Sequence, residues 1–194
     1  MKKIAVTGGA GFIGSNLVER LLSKGHQVTV VDDLSTGLKS NLDLGKIAFH
    51  ELSLTDRDGL SKALSGADAI VHLGARGSVP RSLKNPIATH DVNATGTLNV
   101  LEAARTNGAH VVFSSSSSVY GRNGQLPKDE SMWLSPLTPY AASKLAAEGY
   151  VQAYGAAYEV PVTLLRFFNV FAKPPCRRRA HLQPFCLPGL HAKA

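Results

Sequence analysis

The chain opens on "KIAVTGGAGFIGSNLVERLL", a β-branched run that passes through glycines directly into a helical pattern. The turn reads Gly8-x-x-Gly11-x-x-Gly14, with Phe12 and Ile13 inside it. Glycines at this spacing permit a tight strand-to-helix turn and let a ligand come close to the backbone. The unpaired N–H groups and the dipole at the start of the helix then attract an anion such as a pyrophosphate. A glycine pattern alone is weak evidence, but this one has the required strand before it and the required helix after it.

An acid completes the pattern. Asp32 ends the next β-branched run, 18 residues beyond Gly14, where a carboxylate can accept both hydroxyls of a ribose and would repel a 2′-phosphate. The expected cofactor is therefore NAD in preference to NADP. Asp33, next door, is expected to be solvated.

The same alternation continues along the chain. "KIAVT" 3–7, "QVTVV" 27–31, "KIAFH" 46–50, "AIVHL" 69–73, "HVVFS" 110–114 and "VTLLRF" 162–167 read as strands, with helical patterns at about 12–24, 56–65, 83–107 and 139–157. The apolar runs are mostly unbroken, as expected of parallel strands covered on both faces. This is a βαβ chain, and the fold class expected is α/β, a doubly wound parallel sheet of the Rossmann kind. With 194 residues and 44% hydrophobic content there is material for one core. The organisation expected is a dinucleotide-binding domain over 1–172 and an irregular basic tail over 173–194, disordered or loosely docked. That tail, "KPPCRRRAHLQPFCLPGLHAKA", carries four prolines and no periodic apolar face.

Charge points the same way. Lys173, Arg177, Arg178, Arg179 and Lys193 lie in the tail with no acid among them, and removing those five from the formal +7 leaves +2 on residues 1–172. The basicity belongs to the tail, so no nucleic-acid partner is expected, and a solvated tail is preferred to one that binds acidic partners. Both cysteines, Cys176 and Cys186, are also there, and no disulfide framework follows. Cys176, His181, Cys186 and His191 recur every five residues, a spacing unlike that of a usual zinc module, and no metal is expected. No apolar run is long enough to span a membrane, and the basic start breaks into glycines too soon for a signal peptide. The expected location is the cytoplasm.

Two further stretches carry chemistry. "FSSSSSVYG", 113–121, leaves a strand at the carboxyl edge of the sheet, where open sheets bind ligands. "TPYAASKLAAE", 138–148, places Tyr140 and Lys144 one helical turn apart on one face. An ammonium near a phenol, with a second positive charge from an oxidised nicotinamide, lowers the phenol from its ordinary value near 10 and makes it a usable base. By spacing alone, a half-buried tyrosine beside a solvated lysine is the commoner arrangement.

Taken together, "TGGAGFIG", "VVDDLSTG", "HLGARGSVPRSL", "NATGTLNVLEAA", "SSSSSVYG", "PYAASK" and "RFFNV" resemble the extended short-chain dehydrogenase/reductases. Within them, the chain is similar to the NAD-dependent sugar-nucleotide epimerase/dehydratase family, UDP-glucose 4-epimerase-like members above all. The resemblance covers residues 2 to about 171. It implies that Tyr140 is the base, that Lys144 tunes it and holds the nicotinamide ribose, and that Ser116 hydrogen-bonds the reacting sugar hydroxyl. It implies that Leu73, Gly74 and Ala75 line the cofactor channel, that Asn93 fixes the region beneath the tyrosine helix and belongs to the cofactor site, that Phe167 and Phe168 approach the nicotinamide, and that Asn169 reaches the substrate diphosphate. His72 is expected to be a packed or hydrogen-bonded strand residue. A homodimer through 83–107 and 139–157 is implied as well, although apolar faces there could also pack within one chain.

The chain departs from the family in three places. Where family members often carry an acid that binds adenine, it has Ser53, so adenine recognition is expected to fall to Ser53 and Leu54. Where dehydratases carry an acidic pair, it has Ser117 and Ser118, which favours epimerisation of a UDP-sugar at C4 over elimination. After "RFFNV" the family pattern stops, and the expectation is a truncation or frameshift that replaces the sugar-binding domain and leaves activity in doubt. A dehydratase or other sugar-nucleotide oxidoreductase, and a non-catalytic NAD-binding protein, are the alternative readings.

Overall fold

The computed structural model describes residues 1–170, so the readings placed on the 173–194 tail lie outside the described residues. Six parallel strands form one sheet: β1 (Lys3–Thr7), β2 (Gln27–Val31), β3 (Ala48–His50), β4 (Ala69–His72), β5 (His110–Ser116) and β6 (Val162–Phe167), in the order β3-β2-β1-β4-β5-β6. The order reverses beside β1, which is where a doubly wound sheet opens a crevice at its carboxyl edge. In register, Thr7 stands beside Val31 on one side and His72 on the other.

Both faces of the sheet are covered, which explains the unbroken apolar runs. One face packs Val6, Val28 and Val30 with Val18 of α1 (Phe12–Ser23). The other packs Ala5, Ile70, Val111 and Phe113 against α2 (Arg57–Ala63), α5 (Gly96–Asn107) and α6 (Pro139–Tyr158). Local chemistry sets the helix ends. Asp56 accepts from Gly59 N at 2.9 Å to start α2, and Thr138 accepts from Ala141 N at 3.1 Å to start α6, with Pro139 in its first turn.

Two elements differ from the sequence expectation. The helix expected over 83–107 is divided into α3 (Val79–Lys84), α4 (Pro86–His90), a π turn over Asp91–Thr95, and α5. The break is at Asn85, which precedes a proline, leaves the helical region at φ −143° and ψ 82°, and caps the next helix by accepting from Ala88 N. In the other case, β5 runs to Ser116, so three of the five serines continue the strand and Ser117–Tyr120 forms a 3₁₀ turn. Among the described residues no helix is long and apolar enough to cross a membrane.

Candidate active site

At the carboxyl edge of β1, β2 and β4 lies a cleft of about 550 Å³, lined in part by Gly8, Gly11, Phe12, Ile13 and Gly14. Asp32, Leu54, Leu73, Gly74 and Ala75 form further parts of its wall. Two glycines are required by contact. Gly8 has φ +70°, and a Cβ there would lie 2.7 Å from Gly74 N; a Cβ on Gly14 would lie 2.2 Å from Gly8 O. The turn is thus pressed against the first helical residues on one side and the end of β4 on the other.

Asp32 is buried, and each of its oxygens accepts one backbone N–H, Oδ2 from Ala10 and Oδ1 from Leu34, both at 2.9 Å. Burial raises its pKa above the usual carboxylate value, and the two backbone hydrogen bonds oppose the rise. The carboxylate is held in one orientation with lone pairs left to accept from a ligand.

Five of the expected cofactor residues are not part of this wall. Ser53 hydrogen-bonds Thr55 within the turn before α2, leaving Leu52 and Leu54 as the wall there. Asn93 is buried behind the site: its Oδ1 accepts from Arg76 N at 2.7 Å and its Nδ2 donates to Ser143 Oγ at 2.9 Å. It ties the loop after β4 to the underside of α6, so its polar atoms are committed within the protein. Phe167 ends β6, three positions into the sheet's other half, and Phe168 leans on the Tyr120 ring at 6.4 Å. Asn169 is exposed just beyond.

Tyr140 and Lys144 are the remaining two, and burial shifts the pKa of both. Burial raises the Tyr140 phenol above its ordinary value, and the Ser116 hydroxyl pulls it partly back by hydrogen bonding. The Lys144 ammonium is buried, donating to the Ser114 carbonyl at 2.8 Å and lying 4.8 Å from the centre of the Phe113 ring. Burial pulls its pKa down to about 8, against the opposing pull of Glu148. Since Ser114 itself lines the cleft, Lys144 sits one hydrogen bond behind the wall. Ser116 Oγ accepts from Ser118 N and Ser118 Oγ, so its hydroxyl is oriented by the 3₁₀ turn that follows it.

The model of the NAD dependent epimerase/dehydratase family matches residues 4–185. The chain belongs to that family. A putative UDP-glucose 4-epimerase of Methanocaldococcus jannaschii is 37% identical over 173 residues, 88% of this chain and 56% of the relative. UDP-glucuronic acid decarboxylase 1 of Danio rerio is 38% identical over 88% of this chain and 42% of its own length. Among solved structures, the UDP-glucose 4-epimerase of Thermus thermophilus in complex with NAD superposes with a TM-score of 0.81 at 39% identity, covering 87% of this chain and 56% of that one. This epimerase/dehydratase-family chain spans about half the length of these relatives.

The residues present fit the family's cofactor. Gly8, Gly11 and Gly14 line the cleft at the start of α1, where backbone N–H groups can meet a pyrophosphate, and the oriented Asp32 carboxylate at the end of β2 keeps lone pairs that can accept ribose hydroxyls. Sequence reasoning missed other members of the site. Arg76 and Arg81 are exposed cations on the cleft wall, and Thr7, Thr97 and Ser143 support it from behind. "HLGARGSVPRSL" contained both arginines, but nothing local to that string says that it folds back along the cleft.

Proposed function

We propose that the protein carries the chemistry of an NAD-dependent sugar-nucleotide epimerase, oxidising and re-reducing a UDP-sugar at C4. The observation that supports it is the junction of β5 and α6 at the carboxyl-edge cleft: Lys144 Nζ donates to the carbonyl of Ser114, a cleft residue, at 2.8 Å, and the Ser116 hydroxyl lowers the pKa of the phenol at the start of α6. NAD, when bound, would supply a hydride acceptor and donor. The work of the chain's own residues is to move a proton and to place the groups. Tyr140 takes the proton of the sugar hydroxyl as a phenolate and returns it, while Ser116 holds that hydroxyl in line with the phenol. Lys144, already close behind Ser114, places a positive charge under the ribose that must lie against this wall. Gly8, Gly11 and Gly14 receive the pyrophosphate and Asp32 the adenosine ribose, with Leu54, Leu73, Gly74 and Ala75 as apolar and backbone walls.

Serines at 117 and 118 leave no carboxylates there for elimination of water, which favours epimerisation over dehydration. In relatives of twice this length, remote contacts to the sugar nucleotide would contribute to positioning, so the test uses both this chain and a version extended by a relative's C-terminal half. Each is incubated with NAD and UDP-glucose, UDP-galactose, UDP-N-acetylglucosamine or UDP-glucuronic acid, and products are separated by chromatography. Interconversion of a C4 epimer pair by the extended form supports the reading. Loss of carbon dioxide from UDP-glucuronic acid would move the protein to the decarboxylating relatives, and NAD binding with no turnover in either form would leave a non-catalytic NAD-binding protein. A homodimer belongs to the same proposal: Leu83 of α3 and Ile87 of α4, at the start of the 83–107 segment that the family resemblance assigns to the partner, are 64% and 73% exposed.

A further inference from the structure

Behind the cleft runs a buried chain of hydrogen bonds whose direction can be worked out donor by donor. Thr97 Oγ1 donates its one proton to the Asn93 carbonyl, so toward His72 Nε2, 3.0 Å away, it can only accept. Nε2 must therefore carry a proton. The ring is fully out of solvent, and burial, with the Lys144 ammonium as a smaller contributor, drives its pKa down to about 3, so it is neutral and Nδ1 is bare. Thr7 Oγ1, 2.6 Å from Nδ1, must then be the donor there, while its own oxygen accepts from Gly74 N at 3.2 Å. On the far side, Asn93 continues the same run: Nδ2 donates to Ser143 Oγ, which donates to the Tyr140 carbonyl at 2.8 Å. Every hydrogen is used once and every step has one permitted direction, from Gly74 through Thr7, His72, Thr97 and Asn93 to the first turn of α6.

We infer that His72, as a neutral imidazole protonated on Nε2, is a positioning residue that locks the Gly8–Gly74 contact of the cleft to the segment carrying Tyr140. Its role in cofactor binding rests on the proposed NAD site; its tautomer and its hold on Gly74 do not. A protonated ring could not accept from Thr7, and the opposite tautomer would leave two donors facing at Thr7 or two acceptors facing at Thr97. Either change removes the acceptor that fixes the Thr7 hydroxyl and so loosens the oxygen that accepts from Gly74 N, the residue against which Gly8 is packed without room for a Cβ.

The test uses the whole chain with ¹⁵N-labelled histidine, His72 being assigned through contacts with the Phe113 ring, whose centre is 5.7 Å away. The expected result is a bare Nδ1 and a protonated Nε2 that do not titrate between about pH 8 and pH 5, as a group with a pKa near 3 requires. A protonated Nδ1, or titration in that window, overturns the inference. Thr97→Val should abolish the single tautomer, speed amide exchange at Gly74, and weaken NAD binding by about tenfold, as loss of a buried hydrogen-bond partner does. Thr97→Ser, which keeps the hydroxyl, should restore all three. Unchanged exchange at Gly74 in a folded Thr97→Val protein would sink the coupling. If the wild type binds no NAD, the proposed function falls, while the tautomer and exchange measurements still decide the role of His72.

Discussion

Glu148 of α6 and Arg166 of β6 form a two-pronged ion pair, Arg166 Nε to Oε1 at 3.1 Å and Nη2 to Oε2 at 3.0 Å, with side chains 2% and 11% exposed. The guanidinium goes on to the Tyr120 hydroxyl at 3.2 Å and lies 5.1 Å from the centre of that ring. The pair therefore joins the helix that carries Tyr140 and Lys144 to the strand beside the serine run.

Removing one partner of such a pair leaves the other charge buried without compensation. Glu148→Gln is expected to destabilise the fold by roughly 3–5 kcal/mol in urea unfolding. Replacing both partners, Glu148→Met with Arg166→Met, should cost much less, because apolar replacement of a buried pair is often close to neutral. A single variant as stable as wild type would show that the pair is not closed in solution.

Lys144 supplies a pH dependence with a definite sign. The unfolded chain keeps the lysine proton up to about 10.5 and the folded chain releases it near 8, so between those values the unfolded state binds more protons. The contribution of this group to stability must then rise with pH across that window, by up to about 1.4 kcal/mol per pH unit. Urea midpoints of wild type and Lys144→Met at pH 8, 9 and 10 check it. The difference between them should move in favour of wild type as pH rises.

The Tyr140 phenol, raised by burial, should titrate above 10 in the free protein, by ultraviolet difference between wild type and Tyr140→Phe. Bound NAD places a positive charge near it and should lower that value. In an active, extended form, Tyr140→Phe and Lys144→Ala should each reduce turnover more than about tenfold. Near-normal rates in both would remove their catalytic assignment.

Gly14→Ala tests the cradle. Its Cβ would sit 2.2 Å from a backbone oxygen, where no flexible side chain can yield, so the turn has to shift. NAD affinity, measured by calorimetry, is expected to fall by at least about tenfold, since a displacement near 1 Å is enough for such a loss. Gly25→Ala, in a turn on a different part of the chain, has open space around it but φ +76°, so it should cost some stability and leave NAD affinity alone.

The glycine turn, the acid after the second strand and the strand-helix alternation are short-range features, each carried within one element and its cap. For that reason residue order alone places "KIAVTGGAGFIG" on a strand end and its turn, Asp32 at the end of the second strand and "PYAASK" at a helix start. The proline at 86 was equally local, and its effect on the helix expected over 83–107 follows from the rule that the preceding residue leaves the helical region. Long-range partners were not accessible in this way: Asn93 meets Ser143 across 50 positions, and Thr7 meets His72 across 65.

Residue order was thus sufficient for the parallel α/β plan, the dinucleotide turn and the candidate Tyr140, Lys144 and Ser116 group, because backbone preference and periodic burial act over a few residues. Packing alone decided the desolvation, which depends on what every other segment covers: it was the assembled core that buried Lys144 below the wall, raised the Tyr140 phenol in the free protein, and put His72 between two threonines with a single permitted proton position.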